Sequence, residues 1–231
     1  MKIRYLLLLL FFLFSDFVFT KTSEKIRESH FKSSIKSITT STKMQMMKST
    51  WNSHCPVSLN DLREVELTYW GFDDKSHQGI LIVHKELAKE IVAIFRMLYV
   101  HKFPIQRMEL MDVYYGDDVA AMMANNTSAF SCREVTGQPG VFSQHSYGRA
   151  IDINPLINPY VKGEQVLPIA GKPFMARNKT HRGKITKNSI IYNEFIKYGW
   201  DWGGDWFDVQ DYQHFEKRAH NQKRNRYGYQ K

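Results

Sequence analysis

Two short stretches of the chain carry residue types that can do chemistry together. In SQHSYGRAIDINP, residues 143–155, His145 stands seven residues ahead of Asp152. In GWDWGGDWFDVQDYQHFE, residues 199–216, Asp211 stands three residues ahead of His214. Imidazole nitrogens and carboxylate oxygens are ligands of hydrolytic zinc sites, which use three protein ligands and keep one position open. His145, Asp152 and His214 make up such a set, and Asp211 is the carboxylate left over. A carboxylate outside the ligand set can take a proton from a water whose pKa the metal lowers to ~7. Each stretch also has a plainer reading. His145 and Asp152 can be one hydrogen-bonded pair, and Asp211 can cap a turn that leaves His214 at the surface.

Such a site needs rigid supports. In AIDIN, Ile151 and Ile153 alternate with Ala150, Asp152 and Asn154. A strand would turn both isoleucines into a core and present Asp152 on the opposite face. Gly148 lets the chain bend between His145 and that strand. Upstream, GILIVH (79–84) predicts a buried strand after the turn-forming GFDDKSHQG. Leu87, Ile91, Ile94, Phe95 and Leu98 recur at three- and four-residue intervals, which predicts an amphipathic helix of about 16 residues. RMELMDVYY (107–115) alternates as a second strand would. DDVAAMMANN (117–126) reads as a short helix with acidic residues opposing its dipole. SIIYNEFIKYG (189–199) reads as another, capped by Ser189 and ended by Gly199. Short strands and helices with no repeating βαβ pattern give an α+β domain. Trp200, Trp202 and Trp206 could stack on sugar or line the cleft, but packing around the Gly203-Gly204 turn is the better reading. Asp205 either orients a ligand histidine or caps that turn.

At 231 residues, 43% hydrophobic and 14% aromatic, the chain can build one sizeable core. Its start, MKIRYLLLLLFFLF, joins Lys2 and Arg4 to an apolar run from Tyr5 to Phe14. That is the layout of a secretory signal peptide over residues 1–20, and the run falls short of the about 20 apolar residues of a membrane span. Retention as an anchor is the other reading. Residues 21–50, rich in Ser, Thr and Lys, read as a linker, 51–216 as the domain and 217–231 as a basic solvated tail. Export to the periplasm or cell envelope would let the only two cysteines, Cys55 and Cys132, pair. The net charge of +9 sits on the flanks, with +6 over residues 1–50, +5 over 216–231 and −2 between them. Basic flanks suit an anionic wall or membrane surface. Nucleic acid is not expected as a partner, because an export signal is present and no base-reading motif is.

The pattern Ser143-x-His145-x-x-Gly148-x-Ala150-x-Asp152, followed by Asp211-x-x-His214, resembles one known family. It is the zinc D-alanyl-D-alanine carboxypeptidase and L-alanyl-D-glutamate endopeptidase family, which cleaves peptidoglycan stem peptides. YWGFDDKSHQGILIVHKELA (69–88), NNTSAFSCREVTG (125–137), INPLINPYV (153–161) and GWDWGGDW are also similar to an exported bacterial branch of it. The likeness thus spans roughly residues 51–216, and the two-part motif is specific where either half is weak. The resemblance implies a compact single α+β domain, a small antiparallel sheet flanked by helices, similar to the Hedgehog and D,D-peptidase fold. It implies one Zn2+ in the cleft on His145, Asp152 and His214, with Asp211 as general base. It also implies an arginine upstream of the first ligand that holds the substrate carbonyl or carboxylate. Arg133 is the match, with Arg149 as the alternative. Ser143 and Tyr147, flanking His145, would hydrogen-bond substrate or the groups that support the ligands. The chain would then be a monomeric zinc metallopeptidase acting on stem peptides, as a carboxypeptidase or an endopeptidase. The competing expectation is a catalytically inactive zinc-containing wall-binding module on the same fold, against which the presence of Asp211 counts.

Overall fold

In the computed structural model, which describes residues 23–25, 27–135 and 138–224, the amphipathic spacing forms the helix Ala88–Val100 and buries Ile91, Ile94, Phe95 and Leu98. The signal peptide predicted over residues 1–20 lies outside the described residues. The helix shares its core with an antiparallel sheet in the order β1 (Ser33–Ser37), β2 (Leu62–Gly71), β3 (Ser76–His84). A short β4 (Pro104–Ile105) runs parallel to the end of β2. β2 and β3 stay in register from Leu62↔His84 to Trp70↔Ser76, so Val65, Leu67, Leu81 and Val83 enter one core by period-two alternation. A second helix, Thr40–Ser49, seats Met46 in a smaller cluster with Leu62, Ile82 and Phe130.

The second half of the chain is built from short pieces. β5 (Glu134–Val135) and β6 (Gln138–Phe142) pair with each other. β7 (Ala150–Asp152), β8 (Tyr160–Lys162), β9 (Gln165–Leu167), β10 (Asp201–Trp202), β11 (Gln210–Asp211) and β12 (His214–Glu216) form two three-stranded antiparallel sheets, β10-β12-β7 and β11-β8-β9. The helix Ile190–Lys197, whose first turn is capped by the Ser189 side chain, stacks Phe195 on Phe215 with ring centroids 4.0 Å apart. That contact joins the small sheets to the main core. A disulfide between Cys55 and Cys132 ties the loop after the helix Thr40–Ser49 to the segment leading into His145. The result is a mixed α+β single domain. Among the described residues no helix is long and apolar enough to cross a membrane.

Three expectations change. The segment read as a linker contributes β1, paired with β2 from Ser33↔Leu67 to Ser37↔Arg63, and the helix Thr40–Ser49. Its composition hid this, because Thr serves strands and caps as readily as linkers, and Thr39 is the cap here. RMELMDVYY is not a strand but an irregular stretch with a 3-10 turn at Met111–Tyr114. The Asn126 side chain accepts from the Glu109 amide and donates to the Glu109 carbonyl, taking the partners a neighbouring strand would have used. Beyond residue 216, residues 220–223 are exposed as the tail reading expects, but Arg224 packs back onto the domain, its side chain 4% exposed.

Candidate active site

β7 is held from two sides. Asp152 exchanges backbone hydrogen bonds with Ser128 on one side. On the other it pairs with β12, whose register sets His214 directly opposite Asp152 and Phe215 opposite Ile151. Alternation sends Ile151 and Phe215 together into the core and leaves Asp152 and His214 adjacent on the other face. His145 arrives from the 3-10 turn Gln144–Tyr147, whose entry is capped by the Ser143 hydroxyl accepting from the His145 amide at 3.3 Å. Gly148 ends that turn at φ +65°, where a Cβ would lie 2.7 Å from the His84 nitrogen, so the bend requires glycine.

These elements bring together the three residues the sequence singles out as ligands. His145 Nε2 is 3.2 Å from His214 Nδ1 and 3.2 Å from Asp152 Oδ2, and His214 Nδ1 is 2.9 Å from Asp152 Oδ1. All three side chains are buried. The far nitrogens are already engaged: His145 Nδ1 donates to the Ala129 carbonyl, and His214 Nε2 donates to Glu216 Oε2 at 3.2 Å. With the tautomers assigned from those partners, the lone pairs of His145 Nε2 and His214 Nδ1 converge beside a carboxylate. Two lone pairs and a negative charge in a buried space call for a cation between them, and two nitrogens with one oxygen suit zinc. In the metal-free protein the cation is a proton. Burial alone would lower the His214 imidazolium, but its bonds to Asp152 and Glu216 outweigh burial and push it up to about 10. Burial would likewise raise Asp152, yet the two histidines hold it well below the usual carboxylate range.

Asp211 lies beside them in the same cleft, on β11 and across from Tyr160 of β8. The chain at Gly203 backs onto it so closely that a Cβ there would sit 2.5 Å from the Asp211 carbonyl oxygen. Asp211 Oδ1 is buried with no hydrogen-bond partner among the described residues, a costly state for a carboxylate oxygen. Burial therefore pushes its carboxyl up to about 7. His214 pulls it down, and Asp152 repels its charge.

The other predicted residues divide. Arg133 lines the cleft, with Nη2 2.8 Å from Asp118 Oδ2 and Nε buried without a partner among the described residues. Ser143 lines it too, although its hydroxyl serves the His145 amide. Tyr147 and Arg149 line a separate depression with His84 and Glu86, where Arg149 pairs with Glu86. A 3-10 turn has about three residues per turn, so Tyr147, two positions after His145, faces another side. Asp205 does not touch a ligand histidine; it accepts from the Tyr192 hydroxyl at 3.1 Å. Trp200 and Trp202 are core residues, whereas Trp206 lines the cleft with its ring 5.2 Å from that of His214. Trp206 thus takes the cleft-lining alternative rather than the favoured core packing, and Glu216, Tyr160 and Arg224 are site residues that sequence reasoning missed. Only Glu216 left a signal: it follows His214 by two residues and so shares its strand face.

The three donors could hold a metal ion, with a carboxylate beside them. Residues 136–217 match the family model described as D-alanyl-D-alanine carboxypeptidase, and this match supports the peptidase family that the motifs resemble. The matched segment contains all three converging residues and Asp211. No curated protein and no solved structure matches the chain significantly.

Proposed function

We propose that the protein is a zinc-dependent peptidase that hydrolyses peptide bonds in peptidoglycan stem peptides. The observation that carries this reading is the convergence of His145, Asp152 and His214, with ligand atoms within 4.8 Å of one another, beside the unpartnered oxygen of Asp211. His145 Nε2, His214 Nδ1 and a carboxylate oxygen of Asp152 would hold the metal. Zinc, when bound, supplies acidification of water and polarisation of a carbonyl. The chain's own residues do the rest. Asp211, held near neutrality by burial, takes the proton of the attacking water and delivers it to the leaving amine. A cation nearby favours its ionised form, so it begins as the base. Arg133 is fixed through its main chain, which donates to the Ser146 hydroxyl at 2.8 Å, and through its ion pair with Asp118. Its guanidinium faces the oxygen on which negative charge grows. Ser143 keeps His145 in place. In this reading the chain works outside the cytoplasm as a monomer, and its basic flanks keep it near an anionic wall.

Purified protein should contain stoichiometric zinc and release fragments of defined mass from peptidoglycan. Replacing Asp211 with Ala should stop hydrolysis and leave the metal in place, whereas His214→Ala should lose both. Intact stem peptides after prolonged digestion with zinc-loaded protein would overturn the assignment.

A further inference from the structure

The family match ends at residue 217, yet the chain beyond it returns to the cleft. Arg224 is clamped there by Asp208 through two parallel hydrogen bonds, Nη1 to Oδ1 and Nη2 to Oδ2, each 2.8 Å. Its guanidinium carbon lies 4.3 Å from the centroid of the Trp206 ring. Trp206 in turn meets His214, with centroids 5.2 Å apart and the planes inclined at 58°. The Trp206 Nε1 hydrogen is buried and has no hydrogen-bond partner among the described residues. Among the described residues no bond at that atom orients the indole, and the guanidinium over its ring is the charged contact that does. Bonds to Asp152 and Glu216 fix the two nitrogens of His214, and its ring is packed by His145, with centroids 5.0 Å apart, and by Trp206.

We infer that Arg224 is a positioning residue: held by Asp208, it keeps Trp206 against His214 and makes residues 218–224 a working part of the candidate centre. The zinc arm of the following test rests on the proposed function; the indole arm does not. Lysine cannot reproduce both the two-pronged bond and the flat stack, so the contact asks for arginine specifically.

The test uses the full chain with Arg224→Ala, Arg224→Lys and Asp208→Asn, and with Lys223→Ala as a control that removes a neighbouring charge. The first readout is hydrogen exchange of the Trp206 indole N–H by NMR in metal-free protein, its resonance assigned with Trp206→Phe. The second is zinc affinity by chelator competition. Arg224→Ala should speed indole exchange measurably and weaken zinc binding about tenfold, the lower end of the loss typical of groups that orient a metal ligand. Arg224→Lys should recover only part, and Lys223→Ala should change neither. Wild-type exchange and affinity in a folded Arg224→Ala protein would overturn the inference. Faster exchange with unchanged zinc affinity would overturn the action on His214. If Arg224→Ala does not fold, Asp208→Asn decides the same question with the arginine retained. If the wild type binds no zinc, the proposed function fails while the exchange arm still decides the clamp.

Discussion

In the metal-free protein a proton occupies the place where a metal would sit, and this sets a steep pH dependence on metal capture. His214 is pushed up from 6.5 to about 10 by Asp152 and Glu216 against the effect of burial. At pH 7 its imidazole is therefore neutral in about one molecule in a thousand, and removing the proton costs about 4 kcal/mol. The group is protonated in the metal-free state and deprotonated as a ligand, so binding strengthens with pH and stops gaining near pH 10. Between pH 7 and pH 8 His214 alone should make the zinc dissociation constant fall about tenfold, with about one proton released per metal. Asp211, at about 7, should add about half a proton at pH 7 and about a tenth at pH 8, which nearly doubles the fall. Competition with a chelator of known protonation constants measures the affinity, and calorimetry in two buffers of different ionisation heat counts the protons. A dissociation constant that stays flat over this range, with no proton released, would mean that His214 is already neutral. It would refute the roles given to Asp152 and Glu216.

Three further outcomes follow from the same contacts. Asp211 rises from 3.8 to about 7 on folding, so its contribution to metal-free stability is full below about pH 4 and is lost as pH climbs through 7; Asp211→Asn should raise the melting temperature above neutrality, by at most about 4 kcal/mol in stability, and an unchanged melting curve would remove the buried-charge account. Glu216→Gln should lower the pH at which metal-free His214 titrates, followed through its ring protons, and an unmoved titration would show that the 3.2 Å contact does not hold the proton. Cys55→Ser opens a bridge spanning 77 residues and should cost about 4.5 kcal/mol by the loop-entropy relation, measurable by denaturant unfolding; a loss below about 1 kcal/mol would point to residual structure in the unfolded chain.

The convergence of His145, Asp152 and His214 was legible in the sequence because each position is set by local geometry. Ile151 and Ile153 fix which way Asp152 faces on β7, Gly148 permits one bend, and Asp211 and His214 lie within a single short segment. The helix Ala88–Val100 and the Ser189 cap were legible for the same reason. What escaped depends on contacts between distant segments. Ala129 orients His145 through a carbonyl, which carries no side-chain signature. Arg224 reads as one more charge in a basic tail until Asp208 and Trp206 are seen around it. RMELMDVYY alternates like a strand, but the Asn126 amide takes its backbone partners from 17 residues away. β1 hides in a Ser-rich segment because an edge strand needs little apolar surface.

The pairing of His214 across from Asp152 has a consequence for assembly. Strand faces alternate, so slipping β12 by one residue would turn His214 inward and push Phe215 into the cleft. A misregistered chain thus loses its ion site at the same moment that it loses its core contact. A metal held there would act as an inspector of folding, retained only by molecules whose small sheet has closed correctly. Occupancy of the centre would then double as a count of properly assembled chains, and a metal-retaining fraction would separate them from slipped ones before any peptide is added.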